Sequence, residues 1–338
     1  MGNKRLHFGL IGAGRIGNVH AETLAFRLPE AELVTVADVN AEAAQTLAAR
    51  CGIPKVVASA EEVIGDPNVE AVLICSPTPT HADLIVQAAA AGKAIFCEKP
   101  IAFSLATIDA ALAAVEKAGV PLQIGFNRRF DSNFARVRQA VASGEIGAPR
   151  ILHLISRDPA PPPISYVRAS GGIFLDMTIH DFDMARFLIG DEVDEIYTVA
   201  DVMVDPAIGE AGDVDTAVIV LRYRNGVIGV IDNSRKAPYG YDQRAEILGS
   251  EGKISTENRY ANQATIHGGK AIYTDKPMNF FMDRYTESFA LELKAFTEAV
   301  LGGKPTPVTG IDGRIPVAMG LAARKSYDEH RPVKVESF

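Results

Sequence analysis

A chain of 338 residues exceeds the length over which one hydrophobic core usually keeps growing, so two domains are expected. With 47% hydrophobic and 22% charged residues it reads as a folded globular protein with little room for long disorder. A formal charge of -8, without any cluster of Lys and Arg interleaved with aromatics, argues against nucleic acid and anionic membranes as partners.

The chain opens "MGNKRLHFGLIGAG", two basic residues leading straight into a strand and a Gly-rich turn, without the apolar region of a signal peptide. No stretch reaches the roughly 18 apolar residues of a membrane span. A cytoplasmic protein with no membrane partner is expected. The three cysteines, Cys51, Cys75 and Cys97, are an odd and scattered set that reads as small buried residues, so neither a disulfide framework nor a zinc site is expected.

Short β-rich runs alternate with Ala-rich helical stretches over the first 125 or so residues: Leu6 to Ile11, Glu32 to Ala37, Ala71 to Cys75, Ala94 to Cys97 and Pro121 to Gly125. Helices between them read "RIGNVHAETLAF", "NAEAAQTLAAR", "HADLIVQAAAAG" and "SLATIDAALAAVEKAG", the last two ending at a Gly, as helix C-termini prefer. This alternation predicts a doubly wound α/β domain with a parallel sheet.

At the junction of the first strand and first helix, Gly12, Gly14 and Gly17 form G-x-G-x-x-G. Gly12 permits a tight turn, Gly14 lets a pyrophosphate approach the backbone, and Gly17 lets the helix pack on the strand. Arg15 and Ile16 begin a helix whose free N–H groups and positive dipole end favour an anion. The second strand ends in "VTVADVN", which puts Asp38 about twenty residues on, where a carboxylate accepts both ribose hydroxyls of an adenosine. Such a carboxylate repels a 2'-phosphate and no Arg follows it, so NAD is the expected cofactor rather than NADP.

"SPTPTH" follows the third strand, along the crevice where open α/β sheets bind ligands; Ser76, Thr78 and His81 are therefore candidates to line the cofactor, against the alternative of a proline-ordered surface loop. The next strand ends in Glu98, Lys99 and Pro100, facing the same crevice, and Lys99 is either a solvated strand end or a functional cation. Pro100 cannot continue the ladder and is a candidate for a cis peptide.

From about Ser156 the texture changes. "RDPAPPP" reads as a rigid loop, and "FLDMTIHDFDMARF" from Phe174 as an apolar helix on which Asp176, His180 and Asp183, at i, i+4 and i+7, share one polar stripe. Asn225-Gly226 between apolar runs is a hairpin signal, and further strands are expected over Arg244 to Leu248, Ala264 to His267 and Ala271 to Thr274. Helices near Ser288 to Leu301 and Asp312 to Tyr327 close the chain. This half reads as an α+β domain dominated by an antiparallel sheet.

The Gly motif, "EKP" at Glu98 to Pro100, "FNRRFD" from Phe126 and "GGIFLDMTIHDFDMARFL" from Gly171 together resemble the Gfo/Idh/MocA oxidoreductases, and the likeness extends through "SRDPAPPP", "NSRKAPYGYDQR" and "GSEG". It implies an NAD-binding Rossmann domain over 1–126 and a substrate-binding and oligomerisation domain over 127–338 with a large, mainly antiparallel open sheet. Lys99, Asp176 and His180 match the family's catalytic group, with Glu98 and Lys99 also beside the cofactor. Oxidising a secondary alcohol needs a proton acceptor as hydride leaves, and a histidine with pKa near ~6.5 suits that role at neutral pH. His180 is thus the expected base, Asp176 its orienting or substrate-bonding carboxylate, and Lys99 the cation stabilising charge on oxygen.

The resemblance further implies Arg129, Asp158 and Tyr239 as substrate contacts alongside Lys99, Asp176 and His180. The structural alternatives are an Arg129 pair with Asp131, a turn capped by Asp158 and a core Tyr239, and Tyr241 competes with Tyr239. Asp183 either meets substrate or pairs with a neighbour such as Arg186. The implied reaction is metal-free oxidation of myo-inositol at C2. Another cyclic polyol or pyranose, such as scyllo-inositol, glucose or an anhydrosugar, is the near alternative, and a non-catalytic dinucleotide-sensing regulator the distant one. A homotetramer built on the open sheet face, including Ala217 to Leu221, is implied as well.

Overall fold

The computed structural model describes residues 4–336, and contacts divide them into two compact units. One runs to Phe130 and includes Glu287–Val317; the other comprises Asp131–Thr286 and the chain from Ala318 onward.

The first unit contains a six-stranded, wholly parallel sheet of β1 (Leu6–Ile11), β2 (Ala31–Ala37), β3 (Lys55–Val57), β4 (Ala71–Ile74), β5 (Ala94–Glu98) and β6 (Leu122–Gly125). Their order is β3-β2-β1-β4-β5-β6, which reverses direction between β1 and β4 and so opens a ligand crevice at their carboxyl ends. The crossovers are α1 (Arg15–Arg27), α2 (Ala41–Cys51), α3 (Ala60–Ile64), α4 (His81–Ala90) and α5 (Leu105–Ala118). Helices on both faces favour apolar central strands, and all of β4, AVLI, is buried. The short edge strand β3 is absent from the sequence reading, since three residues carry no period. Gly119 caps α5 in the left-handed conformation, φ 66°, as its position in the sequence implies.

The sequence reading put everything past 126 in the second domain, whereas Glu287–Val317 groups with the first unit. The helix Thr286–Leu301 explains this, because Phe296 is fully buried with its ring 5.9 Å from that of Phe8 and 5.7 Å from that of Phe96. Burying one such side chain contributes roughly 2 kcal/mol.

The second unit holds β7 (Pro149–Arg157), β8 (Val193–Asp201), β9 (Thr216–Tyr223), β10 (Ile228–Ser234), β11 (Asp242–Gly249), β12 (Lys253–Thr256), β13 (Thr265–His267), β14 (Ile272–Thr274) and β15 (Val333–Lys334). Seven strands form one sheet in the order β12-β11-β7-β10-β9-β8-β15, antiparallel except for the β7/β10 pair, while β13 and β14 make a separate hairpin. The Asn225-Gly226 turn joins β9 to β10, with Gly226 at φ 89°. Along β9, Ala217, Ile219, Leu221 and Tyr223 point inward and Val218 and Val220 outward. The helices α6 (Ser132–Ala142), α7 (Ile164–Ala169), α8 (Gly172–Asp176) and α9 (Thr178–Ile189) belong to this unit.

The single helix expected from Phe174 is therefore two, α8 and α9, broken at Met177. Asp213 sets where α8 begins: its carboxylate accepts the Ile173 N–H at 2.9 Å, and a Cβ on Gly172 (φ 79°) would lie 2.7 Å from it. The "GG" of the motif is thus a steric requirement. Asn233 of β10 ties α9 to the sheet, accepting from the Thr178 hydroxyl at 2.6 Å and donating to Asp181 at 2.9 Å.

Candidate active site

In the first unit the glycine loop divides its labour. Gly12, at φ 103°, passes so close to the end of β4 that a Cβ would be 2.6 Å from the Cys75 carbonyl. On Gly17 a Cβ would be 2.0 Å from the Gly12 carbonyl oxygen, which is how α1 packs onto the loop. Gly14 differs: a Cβ there meets nothing within 4 Å, so its backbone faces open space. Among the described residues no side chain caps α1, whose first residues are the exposed Arg15 and half-buried Ile16. An approachable glycine and an uncapped helix start fit a pyrophosphate.

Asp38 ends β2 beside this loop, its carboxylate accepting the N–H of Ala13 at 2.6 Å and of Asn40 at 2.7 Å. Ala13, Asn18, Asn40, Ala43 and Leu47 line an adjacent groove of about 340 Å³. Together they fit the ribose end of a dinucleotide.

Past β4, Ser76 shares a hydrogen bond with Thr80 at 2.6 Å, and Thr78 lies half-buried in a short 3-10 turn. His81 is buried, with Nδ1 at 2.8 Å from the Pro100 carbonyl and Nε2 at 2.7 Å from that of Ser76. It braces the loop after β4 against the one after β5. Burial pushes its pKa down, opposed by the two carbonyls, which favour the charged ring. Glu98 is also buried, 2.6 Å from His20 Nε2, and its carboxylate packs on Gly125. Lys99 follows, half-buried, and the Lys99–Pro100 peptide is cis. Arg129 donates to Asp312 at 2.9 Å, while Asp131 caps α6 and carries Arg284.

The second unit gathers the remaining candidates. Asp176, the last residue of α8, accepts from the Tyr166 hydroxyl at 2.9 Å and from Arg235 at 3.3 Å. His180 lies one turn on in α9, half-buried, with its N–H on the Met177 carbonyl at 3.3 Å across the helix break. Asp158 follows β7, held by backbone bonds to Ser234 and Ala237, with Arg235 4.0 Å away. Asp183 is buried, and Arg186 forks onto Glu192 at 2.6 and 2.7 Å. Tyr239 is partly exposed; its hydroxyl donates to Asp242 at 2.6 Å and accepts from Arg157 at 3.0 Å. Tyr241 is buried, its ring edge-on to Tyr285.

Sequence reasoning missed Arg235. The only signal was a cation at the end of a strand, "NSRKAP", where a solvated side chain is the ordinary expectation, yet this one is 1% exposed.

A parallel sheet with a dinucleotide-type phosphate loop, followed by a unit with a large open sheet and helices carrying Asp176 and His180, is the arrangement of a two-domain nucleotide-dependent oxidoreductase. Comparison with known proteins sharpens this. Residues 6–126 match the oxidoreductase family with an NAD-binding Rossmann fold, and residues 134–255 the GFO/IDH/MocA C-terminal domain. The chain belongs to this family, and it is an NAD-dependent dehydrogenase. It is 47% identical to myo-inositol 2-dehydrogenase of Thermotoga maritima, over 98% of this chain and 99% of the relative. It is 38% identical to an NAD(+)-dependent scyllo-inositol 2-dehydrogenase of Bacillus subtilis, over 97% and 95%. A crystal structure of a myo-inositol dehydrogenase from Corynebacterium glutamicum superposes with a TM-score of 0.94 at 38% identity, covering 99% of this chain and all of that one.

Proposed function

We propose that this enzyme oxidises myo-inositol at C2 to the 2-ketone, with Lys99, Asp176 and His180 as its catalytic group. The observation that carries the reading is the junction of α8 and α9, where Asp176 is oriented by Tyr166 and Arg235 one turn before His180. Bound NAD supplies the hydride acceptor. His180 takes the hydroxyl proton through Nε2, its Nδ1 being buried. Asp176 stabilises the resulting imidazolium, and Lys99 stabilises negative charge developing on the carbinol oxygen. Hydride leaves carbon and the proton leaves oxygen, so ketone, NADH and a proton balance the reaction.

Asp158, Arg129 and Tyr239 are assigned to the remaining hydroxyls of the ring, which needs several fixed donors and acceptors. In the first unit, Gly12, Gly14, Arg15, Ile16, Asp38, Ser76, Thr78, His81, Glu98 and Lys99 are assigned to the cofactor side. Of these, His81 serves by bracing its two loops. Assembly is through the outward face of the second unit's sheet, as a homotetramer.

NAD reduction over a panel of inositols and aldoses tests the substrate. Turnover of myo-inositol is expected; turnover of scyllo-inositol or glucose with none of myo-inositol rejects it. His180→Ala is expected to lower turnover by about 1,000-fold while NAD affinity stays within about twofold. Retained turnover would place the base elsewhere.

A further inference from the structure

Arg235 is the largest of the fully buried side chains, and three carboxylates surround its guanidinium. One terminal nitrogen is 3.3 Å from Asp176 and 4.0 Å from Asp158, the other 4.0 Å from Asp213. Its Nε and second terminal nitrogen have no hydrogen-bond partner among the described residues. Its own N–H fixes it to the Asp215 carbonyl at 2.9 Å. An ion so enclosed and so incompletely bonded adds less stability than an apolar side chain of equal volume. What it does supply is a positive group in a planar fork that two carboxylates can share.

That charge has an unequal audience. Asp213 is already committed to the Ile173 N–H at 3.1 and 2.9 Å, and Arg324, from the closing helix, also acts on it electrostatically. Asp176 and Asp158 come from different elements, the end of α8 and the loop after β7, yet both refer to the same guanidinium.

We propose that Arg235 is a positioning residue which holds the Asp176 carboxylate in place and fixes its spacing from Asp158, so that both carboxylates meet the substrate as acceptors. This rests on the reading that Asp176 takes part in the reaction. Without the guanidinium, Asp176 loses a hydrogen-bond donor and the ion that it shares with Asp158. A carboxylate that loses this anchor no longer stands in a fixed place beside His180.

The test compares Arg235→Ala, Asp176→Asn and the double variant with the full-length enzyme. Arg235→Ala should lower kcat by about 100-fold with KM for NAD little changed, and millimolar guanidinium should restore at least about tenfold of it. Guanidinium should restore nothing to Asp176→Asn. Independently of activity, the double variant should melt several degrees above Arg235→Ala, because Asp176→Asn removes one of the three neighbouring negative charges that Arg235 faces. No guanidinium rescue together with additive melting shifts would overturn the proposal. Should Arg235→Ala not fold, Arg235→Lys serves: the retained charge at a shorter reach should keep Tm near that of the parent while kcat falls, and an unchanged kcat would overturn the proposal. Parent enzyme inactive on every polyol would reject the functional reading, and the melting comparison would still decide whether Arg235 acts on Asp176.

Discussion

The Asp38 carboxylate is bonded to the N–H of Ala13, the residue between the first two glycines of the loop, at 2.6 Å. One acidic side chain thus meets the phosphate loop from the end of β2, and on the proposed reading it is the group that would repel a 2'-phosphate. Asp38→Ser should weaken NAD binding by about tenfold and narrow the preference over NADP by a larger factor, read from titrations of both cofactors. An unchanged NAD to NADP ratio would remove Asp38 from the ribose.

Two glycines of one motif should fail in different ways. A methyl on Gly17 collides with backbone, 2.0 Å from the Gly12 oxygen, so Gly17→Ala forces α1 off the sheet at a cost of roughly 1–3 kcal/mol and should lower Tm. Gly14→Ala places its methyl in open space, so Tm should hold, while on the proposed assignment of Gly14 to the pyrophosphate NAD affinity should fall by about tenfold or more. Thermal melts paired with cofactor titrations separate the two, and equal Tm losses would refute the distinction.

These loops were legible because their constraints are local. Gly12, Gly14 and Gly17 are read from spacing, Asp38 from its distance along the chain, and Asn225-Gly226 from its turn chemistry. What escaped reading depends on partners remote in sequence. β7 gains its place by pairing with β10 and β11, some eighty to ninety residues later, and Phe296 joins the first sheet through contacts with Phe8 and Phe96. The break at Met177 is invisible to a helical period that continues through it. Arg235 drew no reading, because its burial follows from Asp158, Asp176 and Asp213 arriving from three other segments.

Acid should test the Arg129–Asp312 pair. Burial pushes the Asp312 carboxyl up, but the Arg129 guanidinium and hydrogen bonds from Thr309 outweigh it and hold the group below the ordinary carboxylate range. A folded-state pKa below the unfolded ~3.9 means the pair's contribution is complete above that pH and is lost as pH falls through the lower folded value. Asp312→Asn should therefore melt below the parent at neutral pH, with the gap closing under about pH 4. A gap that stayed constant across the acid range would show that the charge on Asp312 adds nothing.

The outward face of the second unit's sheet should hold copies together. Val199 lies opposite Val218 and Tyr197 opposite Val220 across β8 and β9, while Ile151 is the neighbour of both Ile228 and Leu248 across β10, β7 and β11. All seven side chains are more than a third exposed. Cross-strand neighbours of this kind make two apolar patches on one sheet face, and single chains rarely leave more than a few hundred Å² of such surface to water. A lysine within either patch would have to be buried unpaired in any face-to-face assembly, at a cost of several kcal/mol. Val218→Lys should accordingly shift the mass measured by light scattering from the expected tetramer toward smaller species without altering NAD binding, whose residues lie in the other unit. A parent enzyme already monomeric at micromolar concentration would leave the face without its proposed occupant.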